Sequence, residues 1–108
     1  MMTKRRPPKR AAANRGRATY VFRLFVAGAE PNSAQASANL VHLCEAHIAG
    51  QYEICVVDVL RNPNAAYTNN VIVTPTLIML RPLPKVTVFG NLCDAAQVLA
   101  ALRLARDR

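Results

Sequence analysis

The chain has no tryptophan, and it has only three tyrosines and three phenylalanines in 108 residues. Aromatic side chains this sparse give no stacking platform for single-stranded nucleic acid, and past the first seventeen residues no basic stripe tracks a phosphate backbone. Cysteine is scarce too: Cys44, Cys55 and Cys93 are the three. None stands in a Cys-x-x-Cys pair, which removes the common dithiol motif and a common zinc spacing. Apolar neighbours make buried free thiols in a reducing compartment the expectation for all three. His42 and His47 sit on roughly opposite sides of one expected helix with no third ligand in view, so neither a metal nor another cofactor is expected. The six acids, Glu30, Glu45, Glu53, Asp58, Asp94 and Asp107, are scattered. They form no carboxylate pair for acid–base work, and neither histidine has a nucleophile and orienting group at informative spacing. Ala27-Gly28-Ala29 is glycine-poor for a phosphate loop, and no Gly-Lys-Ser/Thr follows it. No apolar run reaches the roughly eighteen residues a membrane span needs. Met1–Arg10 is basic without an apolar segment behind it, so no secretion signal is read and the cytoplasm is the expected location.

Positive charge is plentiful, but it is concentrated. The formal net charge is +8, and Lys4, Arg5, Arg6, Lys9, Arg10, Arg15 and Arg17 carry half of the fourteen cationic side chains. From Ala18 onward the balance falls to +1. Like charges and Pro7-Pro8 oppose packing, so residues 1–17 are expected to form a disordered, solubilising tail with at most weak nucleic-acid contact. Residues 18–108 are expected to be a single domain, of a size that supports one modest core.

The apolar run Val71–Leu80 organises that domain. Pro75 cannot donate a ladder hydrogen bond, so a strand is expected over Thr76–Leu80. Before it, Thr19–Ala27 carries apolar groups on both faces and reads as a central, covered strand. Gly28 ends that strand, Pro31 suits a helix start and Asn32 or Ser33 a cap. The helix is expected to run to about Ala49 with Ala36, Leu40, Leu43, Cys44 and Ile48 inward, Gln35, Asn39, His42 and Glu45 mostly outward, and Gly50 as terminator. Tyr52–Leu60 reads as a second strand, parallel to the first through a right-handed crossover. Asn62 and Pro63 open a short helix that frays near Asn69-Asn70. Lys85–Phe89 reads as a short fourth strand antiparallel to the third. Gly90 breaks it, and Asn91 is expected to cap a final helix toward Arg106. Ala95, Leu99, Leu102 and Arg106 mark one side of that helix, and Val98 and Ala105 add apolar area. The order β-α-β-α-β-β-α predicts an α/β fold, one four-stranded mixed sheet with helices on both faces.

Several segments in order and spacing resemble the KaiB family of circadian clock proteins. They are Tyr20–Gly28, the Pro31-Asn32-Ser33 helix entry, Val57-Asp58-Val59-Leu60 with Asn62-Pro63, Thr74-Pro75-Thr76-Leu77, then Leu83-Pro84, Gly90 and Leu92. Each motif alone is weak; together they cover nearly the whole of the folded part. The resemblance implies a thioredoxin-like fold, with the family's tetrameric ground fold as the alternative and the possibility of switching between them. It also implies a cis Thr74-Pro75 bond, which spacing alone does not favour, since about 5–6% of X-Pro bonds are cis.

The resemblance further implies a non-enzymatic regulatory adaptor that binds a KaiC-like ATPase, in competition with a clock histidine kinase, and that forms dimers or tetramers itself. The partner-binding side would comprise Ala27, Gly28, Ala29, Glu30, Pro31, Asn32 and Ser33. Asp58, Asn62, Pro63, Thr74, Pro75 and Gly90 would shape it or belong to the switching half. Family members commonly carry a Val-Arg-Arg/Lys-Ile-Ile segment where this chain has Lys85-Val86-Thr87-Val88-Phe89. Val, Thr and Phe favour a strand there, so the thioredoxin-like arrangement is expected to be preferred. Two other readings share the fold: a stress-response module with a different partner, and an atypical thiol redox protein using Cys44, Cys55 or Cys93.

Overall fold

The structure, a computed structural model, describes residues 19–104. The basic segment 1–17, and Ala105, Arg106 and Arg108 at the other end, lie outside the described residues. The elements run β1 (Tyr20–Val26), α1 (Pro31–Ile48), β2 (Tyr52–Asp58), α2 (Pro63–Thr68), β3 (Thr76–Arg81), β4 (Val86–Phe89) and α3 (Ala95–Ala101). One sheet has the order β2-β1-β3-β4. β1 and β2 are parallel from Tyr20↔Tyr52 to Val26↔Asp58. β3 is antiparallel to β1, with an irregularity between Val21 and Phe22, and β4 is antiparallel to β3. The expected order and mixed sheet are therefore present.

Alternation along β1 sends Phe22, Leu24 and Val26 to one face. There they join Leu77 and Met79 of β3, the α1 stripe Ala36, Leu40, Leu43, Cys44 and Ile48, and Val98 and Leu102 from the α3 region. Phe25 and Ile78 are also buried, outside that cluster, which is why the central strands are apolar on both sides. α2 buries none of its residues.

Four local expectations need correction. The α1 cap is Glu30, because Pro31 takes the first helical position, where its missing N–H costs nothing. The Glu30 carboxylate accepts from the Ser33 amide at 3.0 Å, and the Ser33 hydroxyl, turned inward, accepts from the Ala27 amide at 3.1 Å. β2 stops at Asp58, whose carbonyl accepts from both Arg61 and Asn62 amides in a turn. α3 is capped by Asp94, since positive φ at Gly90 and Leu92 keeps the chain around Asn91 out of a helix. The helix closes at Ala101, and Arg103, also at positive φ, donates to the carbonyls of Pro82 and Pro84. Finally, only Cys44 is buried; Cys55 and Cys93 are exposed. Cys55 lies on the edge strand β2 opposite Arg23, on the face away from the main cluster, and Cys93 lies in the β4–α3 connection.

Burial, aided by the Glu45 charge, pushes the Cys44 thiol up to about 12. Burial and the hydrogen bond to Glu45 raise the Tyr52 hydroxyl too. The unfolded thiol ionises near 9.0, so this contribution to stability is complete below that pH and is lost as pH climbs from there toward about 12. Urea unfolding followed across that range should show falling stability, and a Cys44→Ala variant should show a shallower fall. At neutral pH, Leu40→Ala should cost about 2–5 kcal/mol through the cavity it opens, whereas exposed His42→Ala should change stability by no more than about 0.5 kcal/mol.

Candidate protein-docking face

The carboxyl ends of β1, β2 and β4 and the amino end of β3 lie at one end of the sheet. Loops beyond strand ends are where open α/β sheets usually bind. Here those loops are tied by one side chain. Asp58 Oδ1 accepts from the Gly28 amide and from the Leu60 amide, both at 3.0 Å. The β1–α1 and β2–α2 loops are thus pinned to a single carboxylate oxygen. Arg61 approaches the other oxygen at 3.9 Å, but its side chain is 86% exposed, so that pair adds little. Gly28 holds φ +58, and a Cβ there would stand 3.2 Å from Leu60 Cδ1. Backbone conformation and contact with Leu60 both favour glycine.

On the neighbouring side, the Thr76 hydroxyl donates to the Val73 carbonyl at 2.6 Å and the Gly90 amide donates to the Pro75 carbonyl at 3.0 Å. Thr74-Pro75 is cis, as the resemblance implied, and so are Arg81-Pro82 and Leu83-Pro84, which the sequence reading did not single out. Asn91 links this side to α1. Its carbonyl accepts from Asn39 at 2.8 Å, and its side-chain amide donates to Gln35 at 2.9 Å and Asn32 at 3.4 Å.

Of the expected site residues, Gly28 and Asp58 are joined directly, Asn62 through its amide to the Asp58 carbonyl, and Pro75 to Gly90. Ala29, Glu30, Pro31 and Asn32 are exposed, Ala27 is half-buried and Ser33 is buried, which makes Ser33 a brace for the loop. Pro63 is exposed at the start of α2, and Thr74 is half-buried. Sequence reasoning missed Leu60, Ile72 and Val73, all exposed apolar side chains at this same end. The sequence places Leu60 inside the second strand, which in fact ends at Asp58. The available signal was the Asp-x-Leu-x-Asn-Pro pattern, in which an aspartate that stops a strand leaves the next apolar residue outside it. Asn91, read as a helix cap, was the other omission.

The arrangement offers shaped backbone and apolar side chains. The β1–α1 junction, Gly28–Ser33, has no cysteine, and the three thiols lie on α1, on β2 and after Gly90. Among the described residues no group of three or more His, Cys, Asp or Glu could hold a metal ion, and no helix is long and apolar enough to cross a membrane.

The KaiB domain model matches residues 23–104. The circadian clock oscillator protein KaiB of Synechococcus elongatus is 41% identical over 88 residues, covering 82% of this chain and 86% of the relative. That of Acaryochloris marina is 42% identical, covering 82% and 85%. KaiB1 of Synechocystis is 40% identical over 89 residues. Among solved structures, chloroplastic thioredoxin z superposes with a TM-score of 0.67 at 19% identity, covering 86% of this chain and 84% of that one. Mitochondrial thioredoxin 3 of Saccharomyces cerevisiae gives 0.64 at 17%, covering 88% and 86%. Likeness at such identity concerns the fold alone.

Asp58→Ala should leave the Gly28 and Leu60 amides without their acceptor and cost about 1–3 kcal/mol. Amide hydrogen exchange should accelerate at Gly28 and Leu60 before it does in β1, whereas unchanged protection at both would show that the carboxylate does not hold the loops.

Proposed function

Because the chain belongs to the KaiB family, we propose that it is a non-catalytic regulatory adaptor that docks on a KaiC-like ATPase through the loop end of its sheet. The observation that carries this reading is the pinning of Gly28 and Leu60 to Asp58 beside the exposed apolar side chains of Leu60, Ile72 and Val73. A surface of this kind binds by complementarity, and a preordered loop loses less freedom on association. Ala27–Ser33 would supply the contact rim, with Asp58, Asn62 and Pro63 holding its shape. Thr74, Pro75 and Gly90 would seat the C-terminal half, whose rearrangement would let a partner select one of two folds. A clock histidine kinase would compete for the same ATPase. The β1–α1 junction, where a thioredoxin-like enzyme needs its thiolate, supports docking over redox chemistry.

Size-exclusion chromatography with the host's KaiC homologue, with and without nucleotide, should give a stable complex in at least one nucleotide state. Leu60→Asp, at an exposed position, should weaken that complex about ten-fold or more without altering the circular dichroism. No complex in any nucleotide state would overturn the proposal. Recovery from lysate of a different partner in place of the ATPase would assign the chain to a stress-response module of the same fold.

A further inference from the structure

The end of the sheet opposite the docking face gathers most of the positive charge. There the amino ends of β1, β2 and β4 meet the carboxyl end of β3, with Tyr20 opposite Tyr52, Val21 opposite Arg81 and Met79 opposite Val86. Arg81, Lys85 and Arg103 stand exposed at this end. The one ion pair among the described residues joins Arg61 to Asp58 at the other end, so these three cations have no carboxylate partner there. Glu45, which takes the Tyr52 hydroxyl, and Glu53 lie on the β2 side. The strand order β2-β1-β3-β4 puts β1 between them and the β3–β4 loop. Thr19, the first described residue, is also here, its amide bonded to the Gln51 carbonyl. The seven cations of residues 1–17 are therefore tethered to the same end, with Arg17 at most about 7 Å from Thr19 by chain length alone.

Within this charge the β3–β4 loop has an apolar tip. Leu83 is 74% exposed, set between Pro82 and Pro84 and flanked by Arg81 and Lys85. Neither proline has an amide hydrogen, and the carbonyls of both accept from the Arg103 guanidinium, at 3.1 and 3.4 Å. The tip can thus leave water with few backbone groups unpaired. A duplex phosphate backbone would meet the cations but offers Leu83 no apolar contact, and the chain lacks an aromatic platform for a single strand. An anionic lipid interface meets both features. Its headgroup phosphates attract Lys and Arg, and its acyl boundary receives an apolar side chain.

We propose that this end is a peripheral membrane contact that seats the chain on an anionic phospholipid surface. Leu83 enters the acyl boundary, Arg81, Lys85 and the basic segment lie over headgroup phosphates, and Arg103 holds the loop in shape. Leu83 alone is too small to anchor a chain, and exposed cations alone are screened by salt. Two weak signals acting together give reversible association. No helix among the described residues is long and apolar enough to cross a membrane, and a surface contact of this kind requires none. Seated in this way, the docking face at the loop end points away from the lipid and stays open to a protein partner.

The full chain should cosediment with vesicles of equal parts phosphatidylcholine and phosphatidylglycerol but not with phosphatidylcholine alone, and added salt should release it. Leu83→Asp should weaken that binding about ten-fold. Arg81→Glu combined with Lys85→Glu should weaken it about ten-fold or more, in both cases with unchanged circular dichroism. Insertion has its own readout, because the chain contains no tryptophan. The indole of Leu83→Trp should shift its emission to the blue on the anionic vesicles. That of Tyr67→Trp, at an 85% exposed position on α2 at the loop end, should not shift. The Leu83→Trp measurement decides the matter if the charge-reversal variant fails to fold. Absence of binding to anionic vesicles, binding indifferent to Leu83 and to the two loop cations, an unshifted Leu83→Trp indole, or equal shifts at the two positions would each overturn the proposal. Tighter binding to duplex DNA than to the vesicles would overturn it as well and make this end a nucleic-acid contact.

Discussion

The loop end of the molecule depends on one carboxylate oxygen. Asp58 Oδ1 receives two backbone amides from different loops, and an acceptor bearing charge makes stronger bonds than a neutral one. The alternative is worse than the loss of those bonds suggests, because the part-buried Gly28 amide left without a partner carries a desolvation cost of its own. Each neighbouring feature then follows. Gly28 adopts φ +58 with Leu60 against it, and Leu60 is held outside the strand with its side chain in solvent. The residue that ends β2 is also the one that fixes the end of β1.

The C-terminal half joins this frame by different means. β3 enters the sheet beside β1 through apolar pairing, Leu24↔Leu77 and Phe22↔Met79, which provides burial without much directional detail. Direction comes from polar links with large sequence separation. The Pro75 carbonyl takes the Gly90 amide, and Asn91 exchanges hydrogen bonds with Asn32, Gln35 and Asn39 on α1. Much of that network is amide to amide and part-exposed, and such bonds are worth about 1 kcal/mol each. The interior drives the two halves together, and a few modest bonds set their angle.

The pattern of the fold was legible where burial alone decides structure. Period-two alternation marked Phe22, Leu24 and Val26, helical spacing marked Ala36 through Ile48, and both sets face the same cluster. Legibility failed where a side chain competes with the backbone. Glu30 caps α1 although asparagine and serine stand nearby, because Pro31 fixes the first turn one residue ahead of them. Asp94 caps α3 because two positive-φ residues exclude Asn91 from that role. Cys55 reads as buried from its apolar neighbours, yet it lies on an edge strand whose middle is open on both faces, Val56 beside it being exposed as well. At the candidate docking face, the sequence points to both Gly28 and Asp58, but the bond joining them spans thirty residues, and no local pattern reports such a contact.

Magnitudes indicate why that bond would matter to the proposed docking. Full burial of Leu60, Ile72 and Val73 against a partner would contribute roughly 1.5–3 kcal/mol each. Association alone costs about 4–15 kcal/mol. The apolar side chains therefore come close to offsetting the cost of association without clearly exceeding it. If the β1–α1 and β2–α2 loops also had to be ordered on contact, about 1–2 kcal/mol for every backbone residue fixed would remove the remaining margin. Asp58 meets that cost during folding, when the interior supplies the driving force. In the proposed docking, fixing two loops beforehand with one carboxylate would leave those three side chains near balance, with the rest of the contact left to the Ala27–Ser33 rim.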